Sequence, residues 1–137
     1  MSLQPYRWSN QQLRAHAGVL DGEQSPHIIL QNATCLNSYL HQWEQANVWI
    51  YGDRIVYVGD QLPVNAKEAE IVDCRGSFVV PGYMEPHVHP FMEYNPLSFA
   101  RYAGQFGTTT LICDNMLMFA GMQPSKAFAL IDELHQT

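Results

Sequence analysis

The sequence contains no run of basic residues: seven Lys and Arg stand against thirteen Asp and Glu, for a formal net charge of −6. Phosphate recognition is built on clustered Lys and Arg, so no nucleic-acid partner is expected. Long apolar runs are also missing. Nothing approaches the ~20 consecutive apolar residues that span a bilayer, and Met1 to Arg14 lack the apolar centre of a secretory leader, so no membrane partner is expected. Cysteine is scarce. Cys35, Cys74 and Cys113 are far apart and odd in number, which argues against a disulfide framework. Each reads as a buried, reduced thiol, and the cytoplasm is the expected location. Charged residues are few as well, 15% against a usual share of about a quarter. That scarcity implies surface buried against something the 137 residues do not contain, and neither an internal repeat nor a low-complexity stretch is present.

What is there changes character along the chain. Residues 1–27 read as an arm with a short helix, capped by Ser9 and running through Gln12, Leu13, Ala15 and His16 to Gly18 and the Asp21-Gly22 turn. Residues 28–80 read as a β-sandwich-like domain. Ile28-Ile29-Leu30 begin a strand, and Asn32-Ala33-Thr34-Cys35-Leu36 either continue it or pair with it. Asn47 to Tyr51 and Arg54 to Val58 flank Gly52-Asp53, a two-residue loop of hairpin type. Ile71-Val72 and Phe78-Val79-Val80 flank a further turn at Arg75-Gly76, and the set predicts a small antiparallel sandwich. Trp43, Trp49, Tyr51 and Tyr57 form either a docking patch or, as alternation along the hairpin favours, core and domain-interface packing.

After Pro81-Gly82 a βα rhythm begins. Pro96 to Gly104 has a helix's opening proline and closing glycine. Thr108 to Cys113 is a strand ending in Asp114-Asn115, and Ser125 is placed to cap a last helix carrying Ala127, Phe128, Leu130, Ile131 and Leu134. Such alternation belongs to a parallel sheet or barrel.

The chemistry-bearing segment is Pro81-Gly82-Tyr83-Met84-Glu85-Pro86-His87-Val88-His89-Pro90. His87 and His89 are two apart, so on an extended strand both imidazoles leave one face and can hold one divalent cation. Pro86 and Pro90 stiffen the backbone around the pair, and Pro90 stops the strand. His16, His27, His41 and His135 show no partner spacing. Glu85 shares the histidines' face only if the strand is regular; otherwise it bonds nearby backbone donors. Asp114, at the next strand's end, either lines the same site or caps a turn.

The run from Pro81 to His89 resembles the Pro-Gly-aromatic-aliphatic-acid-x-His-x-His motif of the amidohydrolase superfamily, position for position. Asp73-Cys74-Arg75-Gly76 resembles the Asp-x-x-Gly before it, Gly107-Thr108-Thr109-Thr110 the Gly-Thr-Thr of the second barrel strand, and Val48 to Gly59 the family's N-terminal hairpin. Within the superfamily the chain resembles adenine deaminases, in their N-terminal portion, by its helix-bearing arm and Asn32-Ala33 strand. The chain departs at Asp114-Asn115-Met116-Leu117, where those enzymes carry Asp-Pro-His-Glu, and Glu85 stands where aspartate is commoner.

The resemblance implies that residues 81–137 are the first two βα units of a metal-dependent TIM-like barrel. It implies one or two divalent ions (Mn, Fe or Zn), His87 and His89 as ligands, and Glu85 and Asp114 as supporting or lining groups. The small-molecule substrate would be a purine, adenine giving hypoxanthine and ammonia; the alternatives are a cyclic amide or an N-acetyl sugar, or a non-catalytic truncated module. An eight-stranded barrel needs roughly 250 residues. The proton-shuttle residues and the rest of the barrel are therefore expected from a longer chain or a second polypeptide, in a homo-oligomer, and the isolated 137-residue chain is expected to be inactive.

Overall fold

The computed structural model describes residues 8–92, 94–114 and 116–134, which fall into two compact units dividing at Pro81 and Gly82. Asn115, His135 and part of the N-terminal arm, each read above, lie outside the described residues.

The first unit opens with α1 (Asn10–Leu20). Ser9 sits in extended backbone and its hydroxyl accepts the Gln12 N–H, while the Gln12 side chain accepts the Ser9 N–H, a reciprocal cap. Five strands follow: β1 (Ile28–Asn37), β2 (Gln42–Tyr51), β3 (Arg54–Gly59), β4 (Glu70–Asp73) and β5 (Phe78–Val79). They make one sheet in which β2 lies between β3 and β1, and β4 and β5 both border β1.

The segment after Leu30 continues the first strand, with one extra residue. Leu30 faces Val48 and Ala33 faces Ala46, so three steps on β1 match two on β2. Asn32 occupies the left-handed region there, φ +61°, a conformation Asn tolerates better than most residues. The extra residue resets the alternation, so that Leu30, Ala33 and Cys35 join Ala46, Val48, Ile50, Cys74 and Val79 in one cluster. Ile29 and Trp49 point the other way, against Val19 of α1, Tyr57, Ala66 and Ala69. Both faces of the sheet centre are therefore covered, which is why Ala46 to Trp49 are buried without alternation.

The expected antiparallel sandwich is corrected by this sheet, which is single and mixed. β1, β2 and β3 are antiparallel, but β4 and β5 both run parallel to β1. The Arg75-Gly76 turn does not reverse the chain. Gly76, at φ +81°, lets residues 74–77 loop out and rejoin the same edge. Cys74 donates to the Gln31 carbonyl and the Ser77 carbonyl accepts the Thr34 N–H, bracketing the bulge on β1. Turn chemistry alone does not distinguish a hairpin from a bulge in an interrupted edge strand. Trp49 is only 4% exposed and Tyr57 packs on it, whereas Trp43 is 51% exposed and meets Phe78 edge-on. The four aromatics are thus divided between core and surface.

The second unit contains β6 (Tyr83–Val88) and β7 (Thr108–Cys113), a parallel pair joined through a 3-10 turn (Pro90–Met92) and α2 (Pro96–Gly104). Asn95 caps α2 and Pro96 opens it. Two helices follow, α3 (Met116–Gly121) and α4 (Pro124–Leu134), where the sequence predicted one. Ser125 is inside α4, whose first turn is received by the Gln123 carbonyl; proline fits the first helical position, so the helix begins one residue before the expected cap. The βα order and the parallel pair are present, but two strands do not make a barrel. No helix among the described residues is long and apolar enough to cross a membrane.

Candidate metal centre

The strand pair fixes the site through local exceptions to regular geometry. Gly82 lies where β7 comes closest: a Cβ there would overlap the Thr109 side chain. Opposite it, Tyr83 pairs with Thr108 and Met84 with Thr110, so Thr109 is an extra residue on β7. The glycine of the motif is thus a packing requirement. A second shift lies between Glu85 and Val88, which pair with Leu111 and Cys113 and leave one extra residue on β6. Pro86, which has no N–H to give to the ladder, lies inside that irregularity. β6 is therefore not regular at its C-terminal end. Glu85 turns its carboxylate to accept the His87 N–H at 3.3 Å and lies outside the group formed by the histidines.

His87 is the penultimate residue of β6 and His89 follows its end. The Nε2 atoms of the two rings are 3.0 Å apart, with ring centroids 4.7 Å apart. The Asp114 N–H donates to the Val88 carbonyl at 2.8 Å, bringing the end of β7 beside the histidines. There an Asp114 oxygen lies 3.2 Å from His89 Nδ1. His87, His89 and Asp114 each offer one ligand atom, all within 4.8 Å of one another. Among the described residues they are the one such group of three. The histidines are exposed and Asp114 is half-buried; burial raises the neighbouring Cys113 thiol above its ordinary value.

This donor set fits a divalent transition ion. With metal–nitrogen bonds of about 2.1 Å, nitrogens 3.0 Å apart subtend about 90° at a shared ion. Two imidazoles with a carboxylate beside them suit Zn, Mn or Fe.

The other described histidines, His16, His27 and His41, stand apart. His16 lies edge-on to Trp8 and Tyr51, and His27 stacks on Tyr51 while its Nδ1 accepts the Gly52 N–H. His41 sits in the turn between β1 and β2 at φ +52°. The proximity of Asp114 to His89 was not fixed by spacing in sequence. It depends on the register of β6 against β7, for which the signals are the strand-ending positions of both.

No family model matches the chain. It is similar over 96% of its length, at 57% identity, to a protein of Bacillus cereus named "Putative adenine deaminase", and spans 22% of that protein. It is 46% identical to a protein of Bacillus subtilis named "Putative adenine deaminase YerA", covering 98% of this chain and 23% of the relative. The chain thus spans under a quarter of the length of these curated relatives. Among solved structures, a D-hydantoinase from Bacillus sp. AR9 aligns with 77% of this chain and 24% of its own, with a TM-score of 0.60 and 27% identity.

Proposed function

We propose that this chain, which resembles the N-terminal portion of adenine deaminase-like amidohydrolases, supplies the first metal ligands of a hydrolase that cleaves non-peptide C–N bonds. The observation that supports it is the 3.0 Å approach of His87 Nε2 to His89 Nε2 at the C-terminal edge of a parallel strand pair, where barrel enzymes gather their chemistry. His87 and His89 hold the ion as neutral imidazoles. The chemistry an ion supplies in such a place is acidification of a water, from a pKa near 16 towards about 7. Glu85 keeps the backbone of His87 in place through its N–H, and Asp114 ties the end of β7 to Val88.

The substrate proposed first is a purine whose exocyclic amine leaves as ammonia, because the relatives carry the name adenine deaminase. A cyclic amide is the second reading. It is favoured by the likeness to a D-hydantoinase and by the apolar residues close to Asp114 in the chain, where Met116 is 74% and Leu117 47% exposed. The proton-shuttle residues and the remaining strands come from further polypeptide, and a homo-oligomer is the expected assembly. Exposed Tyr83, Met84, Ile112 and Phe106 are the surface such polypeptide would cover. The test is to assay the completed enzyme for ammonia release from adenine against ring opening of a hydantoin, with His87→Ala and His89→Ala as controls. Ammonia from adenine supports the first reading and ring opening the second; activity undiminished in both variants overturns the metal-ligand assignment.

A further inference from the structure

We infer that Asp114 is a positioning residue that decides which nitrogen of His89 is offered to an ion. The inference rests on the metal reading above and deepens it. Asp114 is held at three points. Its N–H donates to the Val88 carbonyl at 2.8 Å, one carboxylate oxygen accepts the Met116 N–H at 2.7 Å, and the other lies 3.2 Å from His89 Nδ1. The two sequence readings of Asp114, a cap and a site residue, are therefore compatible, because each uses a different oxygen.

An ionised carboxylate only accepts hydrogen bonds, so Asp114 beside His89 favours the ring tautomer with its proton on Nδ1. A neutral imidazole carries one ring proton. Nε2 of His89 is then a bare lone pair, and Nε2 is the atom that faces His87 Nε2 at 3.0 Å. That tautomer of His89 makes His87 the donor, through Nε2–H, in the ion-free chain. With the His87 proton on Nδ1 instead, the Nε2 lone pairs of both rings would be free to hold an ion. The Met116 N–H prevents the carboxylate from rotating away, so the start of α3 is coupled to the tautomer of a ligand on β6.

An asparagine cannot serve both partners. If its carbonyl keeps the Met116 N–H, its amide faces His89 Nδ1, which must then accept and move its proton to Nε2. The experiment is long-range 1H–15N correlation of the histidine rings in the full chain, with Zn2+ affinity measured by chelator competition, for the parent, Asp114→Asn and Asp114→Ala. The parent is expected to carry His89 as Nδ1–H and His87 as Nε2–H. Asp114→Asn is expected to move the His89 proton to Nε2 and weaken Zn2+ about 10- to 100-fold, the range for loss of a group that orients a ligand. Asp114→Ala is expected to weaken Zn2+ as well.

His89 protonated at Nε2 in the parent would overturn the inference. So would unchanged Zn2+ affinity in Asp114→Asn, or lost affinity with an unchanged His89 tautomer, which would make Asp114 a direct ligand. If Asp114→Asn does not fold, the parent tautomers decide alone. A parent that takes up no Zn2+ but carries His89 as Nδ1–H contradicts the functional reading and leaves the role of Asp114 supported.

Discussion

Replacing Asn47 with alanine tests whether the bulge in β1 is held by a side chain. Asn47 is 8% exposed, and its amide makes three hydrogen bonds: Oδ1 accepts the Asn32 N–H at 3.0 Å, and Nδ2 donates to the Asp60 and Gln61 carbonyls at 3.1 and 3.2 Å. Each is worth about 1 kcal/mol net, and a partner left unpaired in a partly buried setting costs about 1–3 kcal/mol. The carbonyls regain water more easily than the part-buried Asn32 N–H at the bulge, so the loss should be about 3 kcal/mol in total. With a urea slope of roughly 1.5 kcal/mol per molar for a unit of this size, the midpoint should fall by about 2 M. Trp49 is the reporter, being buried and bonded through Nε1 to the Gln61 carbonyl. Asn47→Asp keeps the acceptor for Asn32 but sets a carboxylate against two carbonyls, and should be at least as harmful at neutral pH. A midpoint shift of less than about 0.5 M for Asn47→Ala would refute the reasoning, since it corresponds to less than one hydrogen bond.

Gly82→Ala should separate β7 from β6, because the new Cβ overlaps Thr109; hydrogen exchange at Tyr83 and Asp114 should speed up and Zn2+ affinity should fall, and unchanged exchange would contradict the packing role. Ser9→Ala should cost about 1 kcal/mol by removing the cap of α1, read as a lower melting temperature; no shift would mean that the helix is held by Val19 alone. The Asn32 amide, and then the Arg75 N–H, hold the Asp73 carboxyl below its ordinary value of 3.8. Its contribution is fully present above that value and is lost as pH falls through the lower, folded one. Asp73→Asn should therefore flatten the fall in urea midpoint as pH drops through and below 3.8, and an unaltered slope would contradict the assignment.

The sequence was most legible where local chemistry decides the outcome. Ser9, Pro96 and the Gly52-Asp53 loop each place an element end within a few residues, and each is found there. What local chemistry left open was the direction of pairing. Phe78-Val79 has the same composition whether it folds back on Ile71-Val72 or lies along Cys35, and only the bulge at Asn32, opposite residues 74–77, accommodates the second. α3 was missed because Met116 to Gly121 is a short apolar run of under two turns, too brief to show a periodicity. At the site the spacing of His87 and His89 was visible as a pair, whereas the irregularity at Pro86 that turns Glu85 to backbone, and the register that brings Asp114 to His89, depend on how β6 meets β7.

The most direct test of the central claim is native mass spectrometry of the purified chain after exposure to Zn2+, alongside His87→Ala and His89→Ala with circular dichroism to verify their folding. The account predicts that the parent retains divalent ion and that each folded variant loses it. Retention by both variants, or no uptake by a folded parent, would contradict it.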